Sequence, residues 1–358
     1  MRKLKAGEWV EVCSKEEVLR TLDRNGQLDG MPFMPEMFAF CGRRLQVYKR
    51  AHKTCDTVFP VRERRVDDSV HLDTRCDGSA HGGCQARCLL FWKMAWLKPV
   101  DGSSWDGSAE PASTAASQAC TEADVYIHTQ IADASSPDPT YSCQATLLPY
   151  FTKNLEWWEW DQYLEDYRSG NASLWRIFCG AIYAVYYALT RAGIGAGRPL
   201  RWFYDKFHFL WGGTPWPRKT GSIPDGQPTP TATLDLEPGE LVRIKSHDEI
   251  LSTLTTSSKN RGLYWDAEEV PFCGGTYNVL ARVTRIINER TGKMREMKTP
   301  CIMLDSVICE SRYSDRRYFC PRSIYSYWRE NWLERVGPKP ARAEAEGAND
   351  QAARGSRP

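Results

Sequence analysis

The sequence predicts an α+β fold in which two homologous small β-barrel domains with helical decorations are joined by an aromatic helical insert. Three observations lead to this prediction. The two ends of the 358-residue chain repeat each other. Each copy opens with a short alternating strand followed by a capped helix. The middle of the chain is strongly aromatic and is predicted to be helical.

The duplication is visible without any gap at the start of each copy. A shift that places Gly7 on Gly239 overlays "GEWVEVCSKEEVLRTL" on "GELVRIKSHDEILSTL". The same register places Glu36 on Glu268 and "FCG" on "FCG". Near the end of each copy, "CQARCLLFWKMAWLKPV" overlays "CPRSIYSYWRENWLERV". Two such blocks indicate a duplicated unit of roughly a hundred residues.

We call residues 1–100 repeat 1 and residues 236–336 repeat 2. In both, a Ser followed three residues later by a Glu predicts a capping box: Ser14 with Glu17, and Ser246 with Glu249. Short strands follow, and a closing aromatic helix is predicted at about 85–96 and again at 321–334. Short strands with one early helix favour an SH3-like barrel in each repeat.

The chain between and after the repeats has a different character. Residues 101–154 are predicted to be an irregular linker that begins with a low-complexity stretch. Residues 155–211 form the predicted aromatic helical insert. Residues 212–235 are rich in Pro, Thr and Gly and should form a linker or an extended wrap. The tail at 337–358 is too polar to build a core, so we expect it to be disordered.

The composition restricts the compartment and the partners. A net charge of +2 gives no general reason to propose nucleic acid as a partner. The N-terminal "MRKLKAGEWVEV" lacks the apolar run of a secretory signal, which favours the cytoplasm. In that reducing compartment the 13 cysteines are expected to be ligands, reactive thiols or buried small hydrophobes rather than disulfides.

Four cysteines recur in both repeats, and this recurrence predicts metal sites. The corresponding pairs are Cys41 and Cys273, Cys55 and Cys301, Cys76 and Cys309, and Cys84 and Cys320. Four thiolates around one ion make a closed tetrahedral zinc site, usually a structural one. The alternative is that some of these thiols are packing residues, because free cysteine is among the most buried residue types.

Repeat 1 carries additional donors, namely His52, His81 and Cys88. Cys84 and Cys88 would share a face of the predicted closing helix, whose N-terminus would lower the pKa of Cys84. Surplus donors predict zinc, an iron–sulfur cluster or a thiol relay in this copy. His81, Cys84 and Cys88 are therefore the candidate catalytic residues, while repeat 2 would hold a structural site.

Residues 174–190 are apolar apart from Arg176 and lie at the short limit for spanning a bilayer. The following "RPLRWFYDKFHFLWGG" combines cations and aromatic residues as an interfacial helix does. We expect a buried helical hairpin that packs between the repeats. The alternative is that residues 155–211 contact a membrane surface or a protein partner, which would make the protein membrane-associated.

Three stretches, "LDGMPFMPEMFAFCGRRLQVYKRAHKTCD", "RCDGSAHGGCQARCLLFWKMAWLKPV" and "FCPRSIYSYWRENWLERV", resemble a family of bacterial proteins without an assigned activity. The resemblance covers nearly the whole chain except its termini and implies the same duplicated Cys-rich arrangement. The openings "GEWVEV" and "GELVRI" are also similar to SH3-like modules such as those of the nitrile hydratase beta chain.

Two functions follow as hypotheses. The first is a metal-binding protein, with zinc as the expected ion, that acts as an accessory or scaffold in a bacterial biosynthetic pathway. The alternative is a metal- or thiol-dependent enzyme, using zinc or an iron–sulfur cluster, with its active site in repeat 1. An open coordination position beside a cleft would favour the enzyme.

Overall fold

The computed structural model describes residues 3–58, 61–100, 120–131, 138–193 and 195–337. The fold is mixed α+β and contains two curled antiparallel sheets, each a half-barrel, which is compatible with two β-barrel-like domains.

Repeat 1 contains helix α1 (Lys15–Thr21) and strands β1 (Trp9–Val12), β2 (Gln27–Leu28), β3 (Met31–Pro32), β4 (Arg44–Arg50), β5 (Lys53–Asp56), β6 (Arg62–Val66), β7 (Ser69–Arg75), β8 (Leu89–Lys93) and β9 (Leu97–Pro99). The middle of the chain contains helices α2 (Glu122–Thr129), α3 (Asp161–Arg168), α4 (Leu174–Arg191) and α5 (Gly197–Trp211), with strands β10 (Gln130–Ile131), β11 (Thr140–Tyr141) and β12 (Thr152–Leu155). Repeat 2 contains helix α6 (His247–Leu251) and strands β13 (Leu241–Ile244), β14 (Lys259–Asn260), β15 (Leu263–Tyr264), β16 (Thr276–Ile287), β17 (Met294–Leu304) and β18 (Leu333–Arg335).

The two main sheets share one strand order. In repeat 1 the order is β8-β7-β4-β1-β9, and in repeat 2 it is β17-β16-β13-β18. Two isolated bridges take the place of the β7–β8 pairing in repeat 2, one between Ile302 and Trp328 and one between Ile308 and Tyr325. Both predicted capping boxes are confirmed, since each Ser accepts from its Glu amide and each Glu carboxylate accepts from its Ser amide.

Buried tryptophans show how closely the two cores match. The indole N–H of Trp96 donates to the hydroxyl of Thr21 at 3.0 Å, and that of Trp332 donates to Thr253 at 2.9 Å. Both indoles are fully buried, so each needs a partner for its N–H group. The four residues occupy equivalent positions in the sequence overlay, so in each copy the same bond joins the end of the early helical segment to the tryptophan before the last strand.

Two sequence predictions need correction here. The predicted closing helix is absent from both copies: residues 89–93 form strand β8, and repeat 2 has a bridge and a 3₁₀ turn in that place. An apolar run of this length is compatible with either a helix or a strand, and pairing with β7 decided for the strand. Cys84 and Cys88 therefore lie on a loop.

The predicted linker at 101–154 is also too long. Residues 101–119 lie outside the described residues, as does the tail beyond Gly337. Cys120, Val125, Leu148 and Phe151, however, belong to the core of repeat 1. Strand β12 extends the β5–β6 hairpin by pairing with β6.

The helices α3, α4 and α5 pack on a third cluster of buried aromatic residues. Tyr183 and Trp216 meet Tyr318 and Phe319 of repeat 2 there. Among the described residues, no helix is both long enough and apolar enough to cross a bilayer.

Candidate metal centre

The candidate centre is built on the turn that follows β7. The amides of His81 and Gly83 both donate to the carbonyl of Gly78, at 3.0 and 2.9 Å. Gly78 has φ of +75°, and a Cβ there would lie 2.1 Å from the carbonyl oxygen of Cys84. Glycine is required at this position, and the tight turn it permits directs the His81 side chain inward, where it is 1% exposed.

A buried carboxylate collects the polar groups of this turn. Oε1 of Glu36 lies 2.7 Å from Nδ1 of His81, and it accepts from the amide of Ala80 at 3.2 Å and from the thiol of Cys76 at 3.7 Å. One ligand atom from each of Glu36, Cys76 and His81 lies within 4.8 Å of the other two. No other group of three such donors is found among the described residues.

The protonation of His81 is constrained from both sides. Nε2 lies 3.1 Å from the carbonyl oxygen of Ser142, which can only accept, so Nε2 carries a proton. Nδ1 faces a carboxylate that also accepts when ionised. A second proton or a cation must therefore lie between Nδ1 and Glu36. The other oxygen of Glu36, Oε2, is buried without a hydrogen-bond partner.

A small cavity of about 30 Å³ adjoins these donors. Four thiols contribute to its wall: Cys76, Cys84, Cys88 and Cys143. Burial raises the pKa of Cys88 to about 12 and also raises that of Cys76 and Cys143. These three thiols are therefore neutral at pH 7 in the absence of a cation.

The equivalent loop of repeat 2 is longer and has different chemistry. Glu268, the counterpart of Glu36, accepts from the amides of Arg312 and Tyr313 and from the hydroxyl of Ser314. Ser314 therefore occupies the place of His81, and both carboxylate oxygens of Glu268 have partners. Burial, followed by the charge of Glu268, raises the pKa of Cys309, which takes the place of Cys76. In repeat 2 the buried glutamate is therefore held by hydrogen bonds from two amides and a hydroxyl group, and no imidazole contacts it.

The loops that carry Cys84 and Cys320 form a reciprocal contact between the repeats, which we call the clasp. The amide of Cys55 donates to the sulfur of Cys320 at 3.1 Å, and the amide of Ile287 donates to the sulfur of Cys84 at 3.4 Å. In the ungapped register Ile287 overlays Cys55, so the predicted correspondence of Cys55 with Cys301 is wrong, and Cys301 takes the place of Ser69. Cys320 overlays Cys84. The two contacts are therefore mates under a pseudo-twofold relation.

A second pair of contacts obeys the same relation. Nζ of Lys53 donates to the carbonyl of Tyr318 at 2.7 Å, and the guanidinium of Arg285 donates to the carbonyl of Gly82 at 3.3 Å. Lys53 overlays Arg285 in the register that places Gly7 on Gly239. Gly82 overlays Tyr318 in the register that places Cys84 on Cys320. Each repeat thus inserts one strand segment into the Cys-containing loop of the other.

Lys53 also belongs to a buried charged cluster. Its ammonium group lies 2.8 Å from Asp166 and 4.0 Å from Glu63, while Nε2 of His52 lies 3.3 Å from Asp166. Neither oxygen of Glu63 has a hydrogen-bond partner. Burial raises the pKa of Glu63 to about 8, so this carboxyl group is mostly protonated at pH 7.

The structure divides the predicted ligands instead of gathering four thiols in each repeat. His52 joins the Asp166 cluster, and Cys55 lies against Cys320 of the other repeat. Cys41 packs at the edge of the repeat 1 core, and Cys273 at the edge of the repeat 2 core. Cys301 is buried near the guanidinium of Arg329, at 3.4 Å. Only Cys76 and His81 of the predicted set join the three-donor group.

The sequence patterns did not single out Glu36. The signal for Glu36 was present, because this glutamate overlays Glu268 in the ungapped register. A buried carboxylate retained in both copies has to accept hydrogen bonds. For Cys143, which lies outside the repeats, the sequence leaves two alternatives: it joins the first site by folding back, or it pairs with Cys120. The structure places Cys143 in the wall of the cavity beside Cys88.

Comparison of the chain with protein-family models and with curated proteins finds no match.

Proposed function

We propose that this protein binds zinc in repeat 1 through Glu36, Cys76 and His81, and that it serves as an accessory or scaffold protein. The carrying observation is the buried group of three different donor atoms, all within 4.8 Å of each other. Carboxylate oxygen, thiolate sulfur and imidazole nitrogen are the ligands that zinc takes in proteins. An SH3-like architecture of each repeat, with α3 to α5 as an insert, belongs to the same proposal.

The distances fit a tetrahedral ion with a small adjustment. Ligands at ~2.0–2.3 Å from the metal lie roughly 3.3–3.7 Å from each other in a tetrahedron. The separation of 3.7 Å between Cys76 and Glu36 already matches. The separation of 2.7 Å between His81 and Glu36 has to open by about half an ångström.

A single ion suits this centre better than an iron–sulfur cluster. The adjoining cavity of about 30 Å³ has room for a few water-sized groups at most. Iron–sulfur clusters are held by several thiolates, whereas the three-donor group contains one. A cation at this point would also occupy the gap between Nδ1 of His81 and Glu36, and would give Oε2 of Glu36 a partner.

One observation favours an enzyme as the second candidate. Three protein ligands beside a cavity leave a fourth position for water or substrate, as in catalytic zinc sites. That cavity is also lined by Cys84, Cys88 and Cys143. One of these thiols could bind the ion as the fourth ligand in place of water or substrate. A fourth protein thiolate would support the scaffold, and an exchangeable ligand would support the enzyme.

The decisive variant is His81→Ser, because at the equivalent place in repeat 2 the hydroxyl of Ser314 donates to the buried Glu268. Purified wild-type protein should contain one zinc ion per chain, measured by elemental analysis after removal of loosely bound metal. His81→Ser should lose that ion and keep its circular dichroism spectrum. The matched control, Ser314→Ala, removes a hydrogen bond to Glu268 and should keep the ion.

Wild-type protein that takes up no zinc, or a His81→Ser variant that retains a full equivalent, would refute the proposal. Cobalt substitution then separates the two candidates. The intensity of the sulfur-to-cobalt charge-transfer band reports the number of thiolates. A change of the visible spectrum on adding a small anion reports an exchangeable position.

A further inference from the structure

The outer surface of helices α4 and α5 is apolar and has no protein partner among the described residues. On α4 the exposed side chains include Leu174, Trp175, Phe178, Ile182 and Val185. From Trp175 onward they recur every three or four residues, so they form one stripe along a helix of about 27 Å. The predicted burial of this hairpin between the repeats does not occur on this side.

Helix α5 continues the same surface with a different composition. Trp202 is 63% exposed and Phe209 is 81% exposed, and no residue of this helix is fully buried. Three exposed cations lie among these aromatic residues: Arg198, Arg201 and Lys206. Aromatic residues interleaved with cations are typical of helices that lie in a membrane interface.

The charges of the two helices are one-sided. Asp205 is the single acidic residue in the two helices, and it faces inward, where it accepts from the amide of Trp216 and pairs with Lys219 at 3.0 Å. The two cations of α4 are bound to the protein: Arg176 donates to the carbonyl of Glu310, and Arg191, although 59% exposed, pairs with Asp315. The exposed charge of the two helices is therefore positive, and three of the four exposed cations are on α5.

The groove between the helices adds a concave apolar feature. Its volume is about 750 Å³, within the usual range for ligand pockets, and Ile182, Phe203 and Phe207 are among its lining residues. Such a groove suits a hydrocarbon chain better than a folded protein surface. Its rim exposes aromatic side chains and offers no row of backbone groups with which a protein partner would form hydrogen bonds.

We propose that α4 and α5 bind the surface of a lipid bilayer that contains anionic headgroups, with both helices lying in the interface. Positive charge on the outer face is complementary to anionic headgroups, and the exposed aromatic side chains suit the boundary between headgroups and acyl chains. This inference is independent of the metal centre, which lies in repeat 1.

The test is co-sedimentation of the full chain with phosphatidylcholine vesicles, prepared with and without phosphatidylglycerol. The protein should sediment with the anionic vesicles, and added salt should weaken its binding. The double variant Phe209→Ser/Leu210→Ser should abolish sedimentation without unfolding, since both side chains are exposed. Trp9→Ser, an exposed tryptophan on repeat 1, is the matched control and should bind as wild type does.

Charge provides the second arm of the test. Lys206→Glu should reduce partitioning about fivefold or more, while Lys259→Glu on repeat 2 should have no effect. A polarity-sensitive fluorophore on Cys179, an exposed cysteine beside the groove, should shift its emission to the blue on anionic vesicles. Absence of binding to anionic vesicles would overturn the proposal. A concentration-dependent dimer in the same samples would then assign the surface to a second copy of the chain.

Discussion

The sulfur of Cys320 accepts a hydrogen bond from the amide of Cys55 at 3.1 Å, although the two residues are 265 positions apart. Both side chains are buried, and they belong to different repeats. The thiol of Cys320 in turn stabilises the thiolate of Cys55 and lowers the pKa of Cys55 to about 6. Burial, together with this neighbour, raises the pKa of Cys320. One sulfur of the pair is therefore poised to ionise while the other keeps its proton.

This pair should make stability depend on pH. A thiol whose pKa is lowered by folding, from 9.0 to about 6, contributes stability above the unfolded value and loses it as the pH falls towards 6. Cys55→Ser should remove this contribution. In urea titrations under reducing conditions, the wild-type advantage over Cys55→Ser should grow from pH 6 to 9, by at most about 1.4 kcal/mol per pH unit. Cys301→Ser is the control, because burial raises the pKa of Cys301 to about 11 and keeps it protonated throughout. A constant difference between wild type and Cys55→Ser across this range would contradict the prediction.

Glu63 should have the opposite effect. Burial raises its pKa from 4.5 to about 8, so its contribution to stability is fully present below the unfolded value. That contribution is lost as the pH rises through the folded value. Glu63→Gln keeps the shape and cannot ionise, and should therefore gain stability relative to wild type between pH 5 and 8. Unfolding free energies at several pH values provide the measurement, with the exposed Glu296→Gln as control. Parallel curves for Glu63→Gln and wild type would exclude a buried neutral carboxyl group.

The clasp should be much more sensitive on one side than on the other. Arg322 is 4% exposed and donates to the carbonyl of Cys55 at 3.0 Å and to Glu289 at 2.8 Å. Arg322→Met should cost about 3–5 kcal/mol, because it breaks a buried pair. Arg285→Met, at a side chain that is 45% exposed, should cost less than about 1 kcal/mol. Denaturant unfolding with a chelator present separates these costs from metal binding, and equal costs would show that the clasp does not depend on the buried guanidinium.

The duplicated indole anchors predict matched energetics. Thr21→Val and Thr253→Val each leave a buried indole N–H without its acceptor. Each substitution should lower the free energy of unfolding by about 1–3 kcal/mol, and the two losses should be similar. Chemical denaturation of the two single variants is sufficient for this comparison. A large loss in only one of them would mean that the two equivalent hydrogen bonds contribute differently to the free energy of unfolding.

Chelation should act through repeat 1. Metal bound only to the folded state adds to stability, so removal of zinc should lower the unfolding temperature of wild-type protein. The His81→Ser variant lacks the ion and should show no response to the chelator. Thermal unfolding of both proteins, with and without chelator, makes the comparison. A wild-type transition that does not move would contradict a bound ion with a stabilising role.

The sequence predicted most accurately those features that occur in both repeats. The capping boxes at Ser14 and Ser246 follow from local spacing alone. An overlay of repeats aligns Cys84 with Cys320, however, and cannot show that each of them contacts the partner copy. That contact depends on how two curved surfaces meet, and no periodicity along the chain encodes it. The prediction of a helix at 89–93 was wrong for a local reason, because a run of five buried residues fits a strand as well as a helix.

The clasp has the form of an isologous subunit interface within one polypeptide. In a homodimer every substitution appears twice, at both symmetry-related places. Joining the two units in a single chain removes that constraint while the self-complementary contact keeps them together. One copy can then retain the hydroxyl of Ser314 as a simple brace for Glu268, while the other holds the imidazole of His81 against Glu36. Because the two repeats are covalently linked, their buried glutamates can have different partners while each repeat keeps its contact with the other.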